Sequence, residues 1–248
     1  MKKIFICALS LLTAAWFFVS CTEDSTLYCG TTKPQFNSLS DPKAVAFFHN
    51  ATIEAYLETI TRSDDISPND DVKLICQIVS GLLLQYGSQI SPTDEDIEII
   101  AEYSRDFSAR IKDSVLDALT YYINILPFDS ETKTELLRLS ILDIQNGTNM
   151  ALEYMNKQNA LKTRSILYSN EWKTFCAVGN ASALFWKSLE TRGRIDSRGW
   201  FGTFADAAGS LICAGCGVWP GIVVSAIFSL NANYGEPNFD DCMDTNCD

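Results

Sequence analysis

Ser91-Pro92-Thr93-Asp94-Glu95-Asp96-Ile97-Glu98-Ile99-Ile100-Ala101-Glu102-Tyr103-Ser104 opens the run whose reading decides the fold. An oxygen-bearing side chain at Ser91, a proline next to it and an acid at Asp94 make a helix start. The oxygen accepts from an unpaired amide, the proline has no amide to lose, and the acid faces the positive end of the helix dipole. Beyond it Ile97, Ile100, Ala101, Ser104, Ser108, Ile111, Val115, Leu119, Tyr122 and Leu126 step by three or four, which lines them along one helical stripe. The run is long enough for one helix of about nine turns or two in sequence, and the unbroken period favours one.

Two other segments open in the same way, Asp41-Pro42 and Ser67-Pro68-Asn69-Asp70. After the second, Val72, Ile75, Cys76, Val79, Leu82, Leu83 and Tyr86 form a stripe of the same period. Shorter helices are expected near 131–144 and 148–159, parted by Asn146-Gly147, which suits a left-handed helix end. A further helix is expected over roughly 163–190, with Trp172, Phe175, Cys176, Gly179, Ala183 and Trp186 on one side. No stretch alternates apolar and polar residues as a strand does, so the chain reads as an all-α bundle of about eight helices, its main body spanning residues 41–191.

A linker with three arginines, 192–199, leads to a region of different character. From Ala207 to Gly235 no side chain is charged, and small residues recur every four places at Ala205, Gly209, Cys213, Gly217, Gly221, Ser225 and Ser229. Such a ridge lets a second backbone approach closely. Pro220 interrupts a single rod, so two short helices are expected, about 202–216 and 220–231, within a hairpin spanning 199–232. The hairpin reads first as packed core. Its uncharged length also suits membrane insertion over 207–230, and a partner-binding surface is the third reading.

This glycine- and alanine-rich stretch resembles the C-terminal part of bacteriocin-like peptides, a likeness that implies helix pairing in membranes. Together with Phe47-Phe48-His49-Asn50 it is similar to uncharacterised helical lipoproteins of the Bacteroidetes type, a likeness that implies no activity.

The N-terminus gives the location. Lys2 and Lys3 precede an apolar run from Ile4 to Val19 that stops at Ser20-Cys21, the order of an export signal. Phe18-Val19-Ser20-Cys21 resembles a lipobox, with Phe where Leu is commoner, and the resemblance implies that residues 1–20 are removed and Cys21 is acylated with palmitate. Thr22-Glu23-Asp24-Ser25-Thr26 resembles the sorting stretch of Bacteroidetes-type surface lipoproteins, which implies an outer-membrane lipoprotein, surface-exposed in that family. Residues 21–40 read as an acidic tether. Loss of Lys2 and Lys3 takes the net charge from -12 to -14, which makes nucleic acid a poor partner.

Of nine cysteines, seven remain once Cys7 is removed and Cys21 is acylated. Cys76 and Cys176 lie on apolar stripes and read as buried thiols. Cys242 and Cys247 flank a short acidic loop within the acidic tail, residues 233–248, and are candidates for pairing with each other or with Cys29, which export permits. Cys213-Ala214-Gly215-Cys216 has redox spacing without the βαβ context such chemistry uses, and no histidine joins the cysteines in a zinc set.

His49, the one histidine, falls beside Val45, Phe48, Thr52 and Tyr56 and reads as a hydrogen-bonded core residue ahead of a catalytic one. The acidic clusters Asp64-Asp65, Asp70-Asp71 and Asp94-Glu95-Asp96 fall at helix ends, where capping and solvation account for them. Asp244, Asn246 and Asp248 imitate the start of a calcium loop but lack its glycine and distal glutamate. No catalytic residue, metal site or cofactor is therefore assigned. The expected protein is a non-enzymatic, lipid-anchored component of the cell envelope that binds an unidentified protein or supports a surface assembly. A membrane-active, bacteriocin-like effector or accessory is the second reading, and an envelope hydrolase the third.

Overall fold

The computed structural model describes residues 34–60, 67–162, 169–191, 199–212 and 217–240. Two compact units divide the chain, residues 1–35 and 36–248, and everything below concerns the second. Its described residues hold nine helices and no strand: α1 (Pro42–Ile60), α2 (Val72–Leu84), α3 (Asp94–Asp113), α4 (Val115–Ile125), α5 (Ser130–Asn146), α6 (Met150–Lys162), α7 (Asn170–Thr191), α8 (Trp200–Ile212) and α9 (Val218–Tyr234). The chain is all-α, as its periodicities require.

Position in the bundle follows apolar width. α9 is apolar on every side, so it must be surrounded. It packs most extensively on α8 and also against α1, α2 and α3, with all of residues 221–233 buried. α8 is nearly as enclosed, and residues 200–211 are all buried. α1 and α7 run together beside this pair and bury one stripe each. The predicted stripe of α2 is in the core from Val72 to Leu83. The stripe from Ile100 to Leu126 is buried as well, apart from half-buried Ala101. α4, α5 and α6 complete the outer layer.

Helix starts follow the sequence in kind but not always in register. Asp41 Oδ1 accepts from the Lys43 amide at 2.9 Å, so α1 begins where expected. Ser67-Pro68 closes only a turn, with the Asp70 and Asp71 amides donating to the Ser67 carbonyl, and α2 starts five residues later than Ser67, at Val72. For α3 the cap is Thr93 rather than Ser91. Thr93 Oγ1 accepts from the Asp96 amide at 3.1 Å and the Asp96 carboxylate accepts from the Thr93 amide at 2.8 Å, a reciprocal capping box.

The single helix expected over 94–126 is corrected to two. Ser114 is extended, at φ -162° and ψ 124°, so α3 ends at Asp113 and α4 starts at Val115 with Ser114 Oγ accepting from the Asp117 amide. A one-residue break preserves the direction of the apolar stripe, which is why periodicity alone does not reveal it. Gly147 ends α5 in the left-handed conformation expected, at φ 62°. Just before it, the buried Asp143 carboxylate accepts from the Met150 and Ala151 amides at 2.7 Å each, so α5 caps α6 across the turn.

Candidate functional site

The ridge of small residues is the contact between α8 and α9. A Cβ placed on Gly209 would lie 2.7 Å from the Ser225 Cα, and one placed on Gly221 would lie 3.1 Å from the Ser210 carbonyl oxygen. Glycine is required at Gly209 because backbone occupies the space any side chain would fill. Gly217 is corrected: it is exposed at φ 116°, ahead of α9, and approaches no second backbone. Cys213 lies outside the described residues. Pro220, with Val218 as the first helical residue, sits in the first turn of α9, where a missing amide costs no internal hydrogen bond.

Against this hairpin lies a wholly buried polar cluster drawn from four helices. His49 of α1 places Nδ1 2.9 Å from Ser225 Oγ of α9 and Nε2 3.2 Å from Asp206 Oδ2 of α8. Asp206 Oδ2 also accepts from Trp186 Nε1 at 3.0 Å and from Ser182 Oγ, both on α7 one turn apart. Ser225 Oγ donates to the Asp206 carbonyl at 2.6 Å. That assignment uses its one proton, so His49 Nδ1 donates to it. The Nε2–Oδ2 contact lies off the line of a good hydrogen bond, and Asp206 Oδ1 has no partner.

Serine, histidine and aspartate in one chain of contacts suggest nucleophilic catalysis, but the geometry serves packing. Ser225, His49 and Asp206 are each 0% exposed, the serine sits mid-helix, and its proton points at a main-chain carbonyl. A nucleophile needs an open face toward the carbonyl it attacks and donors for the resulting oxyanion, and this cluster has neither. What it does instead is tie α1, α7, α8 and α9 together, because the bonds of Asp206 Oδ2 and Ser225 Oγ form in only one relative placement of the helices.

His49 thus occupies the core, hydrogen-bonded as its stripe predicts. Trp186 falls on the stripe the sequence predicts for its helix, whereas Asp206 and Ser182 are not singled out by the sequence. The available signal was Asp206 itself, the one charge in α8: a carboxylate on an apolar helix requires donors.

Cys76 and Cys176 are buried thiols, the Cys176 thiol donating to the Met155 carbonyl, and burial pushes the Cys76 thiol up to about 12. Asp71 accepts from Tyr56 Oη at 2.8 Å, and burial, reinforced by that carboxylate, raises the Tyr56 phenol. Asp94, Glu95 and Asp96 occupy the first turn of α3. An open hollow of about 510 Å³ between α5 and α6 is lined by Ser130, Glu131, Thr134, Glu135, Tyr154 and Gln158, where Arg138 holds Glu135 through two hydrogen bonds. Among the described residues no three histidine, cysteine or acidic side chains group as a metal site requires. Cys21, Cys29, Cys216, Cys242, Cys247, Asp64-Asp65 and the calcium-like tail lie outside the described residues.

Comparison with known proteins gives no family. No protein-family model, curated protein or solved structure matches the chain.

Proposed function

We propose that the protein is a lipid-anchored component of the cell envelope that acts without catalysis, by binding a protein partner or supporting a surface assembly. The export signal, the cysteine at its end and the acidic stretch after it support the location. The observation that carries the non-catalytic part is the use made of the chain's one histidine: its ring is enclosed by four helices and both nitrogens face protein oxygens.

A second observation bears on how the protein meets the membrane. The uncharged segment that would have to insert, 207–230, takes in the end of α8 and most of α9, the helix around which the bundle is packed, and no helix among the described residues is long and apolar enough to cross a membrane. Association through an acyl chain on Cys21 needs no such rearrangement.

The test is metabolic labelling with a radioactive fatty acid in a bacterial host, comparing the full chain with Cys21→Ala. The reading expects label and membrane fractionation in the first and neither in the second. Equal labelling of both, or a full chain recovered without label, would overturn it.

A further inference from the structure

Residues 236–240, the last that are described, cross the break between α3 and α4. In a helix running through Ser114, the Val115 amide would donate to the Ile111 carbonyl four residues back. Here Asn238 stands between them. Its amide donates to the Ile111 carbonyl at 2.7 Å and its carbonyl accepts from the Val115 amide at 2.9 Å, so one residue of the tail occupies both ends of the bond that would have joined the helices. Asn238 Nδ2 adds a bond to the Asp113 carbonyl at 3.1 Å. On either side the grip is lighter: Glu236 reaches Lys112 at 3.4 Å on the exposed surface, and the half-buried Phe239 ring meets Phe201 edge-on with centroids 5.7 Å apart.

Although Ser114 also serves as the cap of α4, the sequence of α3 and α4 is compatible with the joined form. Its apolar period runs from Ile97 to Leu126 without a phase change, and no proline or glycine falls between Thr93 and Leu126. The Ser114 amide still donates to Arg110 at 2.9 Å and the Ala118 amide to Ser114 at 3.0 Å; between them Asn238 takes the Ile111 and Val115 groups with its main chain and the Asp113 carbonyl with its side chain, while the Asp117 amide turns to Ser114 Oγ.

We infer that residues 236–240 are a strap that wedges α3 and α4 apart, and that withdrawing the strap lets the two join through the Ile111–Val115 bond. The strap and the helix compete for the same two backbone groups, which makes the segment two-state: each arrangement satisfies Ile111 and Val115, and only one holds the C-terminal tail on the bundle. The competition is reciprocal, so a change that favours a helical Ser114 weakens the strap by the same factor that losing the strap favours the helix. This goes beyond the envelope reading and does not depend on it.

The test uses full-length chains and nuclear magnetic resonance. In Asn238→Pro, which has no amide to give Ile111, and in Phe239→Ala, the Ser114 Cα chemical shift is expected to move from extended toward helical while α9 amides stay protected. In Ser114→Ala the Asn238 amide is expected to exchange about tenfold faster than in the wild type. A Ser114 shift that stays extended in both strap variants would show that the break is intrinsic to α3 and α4. Loss of α9 protection in both would show that the tail is an integral part of the fold. Either result overturns the inference.

Discussion

Gly209 of α8 faces Ser225 of α9 so closely that an added Cβ would lie 2.7 Å from the serine Cα. At that distance the obstruction is main chain, which cannot turn aside as a side chain can, so the two helices must separate for any larger residue. Gly209→Ala is expected to destabilise the protein by about 1–3 kcal/mol, the usual cost of overpacking a filled core. Gly217→Ala tests a different cause, because Gly217 has open space and a φ of 116°. Its cost is backbone strain of roughly 1–3 kcal/mol, which a larger side chain there would not much increase. Urea unfolding of Gly209→Leu and Gly217→Leu separates the two, since only the first series is expected to worsen steeply with size.

The Asp206 carboxylate and the His49 ring are buried together, and each removes the penalty of the other. His49→Leu or Asp206→Leu leaves an uncompensated polar group in the core and is expected to cost about 3–5 kcal/mol. The double variant should recover part of that loss. A double-mutant cycle by chemical denaturation measures the coupling, and a coupling near zero would mean that the two side chains are independent.

Asp96 closes the capping box of α3, and hydrogen bonds from the Thr93 amide and hydroxyl hold its carboxyl below the usual carboxylate range. A depressed folded-state value means that the contribution to stability is present in full above the unfolded value, near 3.9, and is lost as pH falls through the lower folded one. Asp96→Asn should therefore be less stable than the wild type at pH 7 and converge with it in acid, as the pH falls through the depressed folded-state value. Melting temperatures across that range check the convergence.

Asp143 holds two amides at the start of α6 from the end of α5. Asp143→Ala is expected to cost about 2 kcal/mol, a lost cap plus donors left in a poorly solvated turn. The loss should be local first, with amide exchange rising in α6 before it rises in α9.

With its thiol pushed up to about 12, Cys76 has little thiolate to offer an alkylating reagent near neutral pH. Peptide mass spectrometry after iodoacetamide treatment at pH 8 should find Cys76 unmodified in the folded chain and modified in urea. Modification at equal rates in both would place the thiol outside the core.

The architecture was legible because periodicity reports which face is buried, and α2, α3 and α4 keep their period from cap to end. The α8–α9 contact was legible for the same reason, since small residues at four-residue spacing have few uses other than close approach. Gly217 fits that spacing yet serves a turn, because a spacing rule cannot see where a helix starts. The α3–α4 break was hidden for a related reason: the apolar period runs through it, Ser114 with Asp117 three places on is a weak mark of a helix start, and Asn238, which bonds to both sides of the break, lies more than a hundred residues away. The polar cluster was half visible. His49 announced itself as the lone histidine on an apolar stripe, whereas pairing it with Asp206 and Ser225 depends on how three helices cross, which one-dimensional patterns do not carry.

The central claim is that the uncharged hairpin belongs to the core, and hydrogen exchange tests it most directly. A chain starting at Glu23, and so lacking the acyl site, would be followed by mass spectrometry with and without liposomes loaded with a fluorescent dye. The account predicts that residues 218–234 are among the slowest in the chain to exchange, that liposomes leave them unchanged, and that no dye is released. Fast exchange there on adding liposomes, together with dye release that Gly209→Leu or polar replacement of residues 207–230 alters, would contradict it.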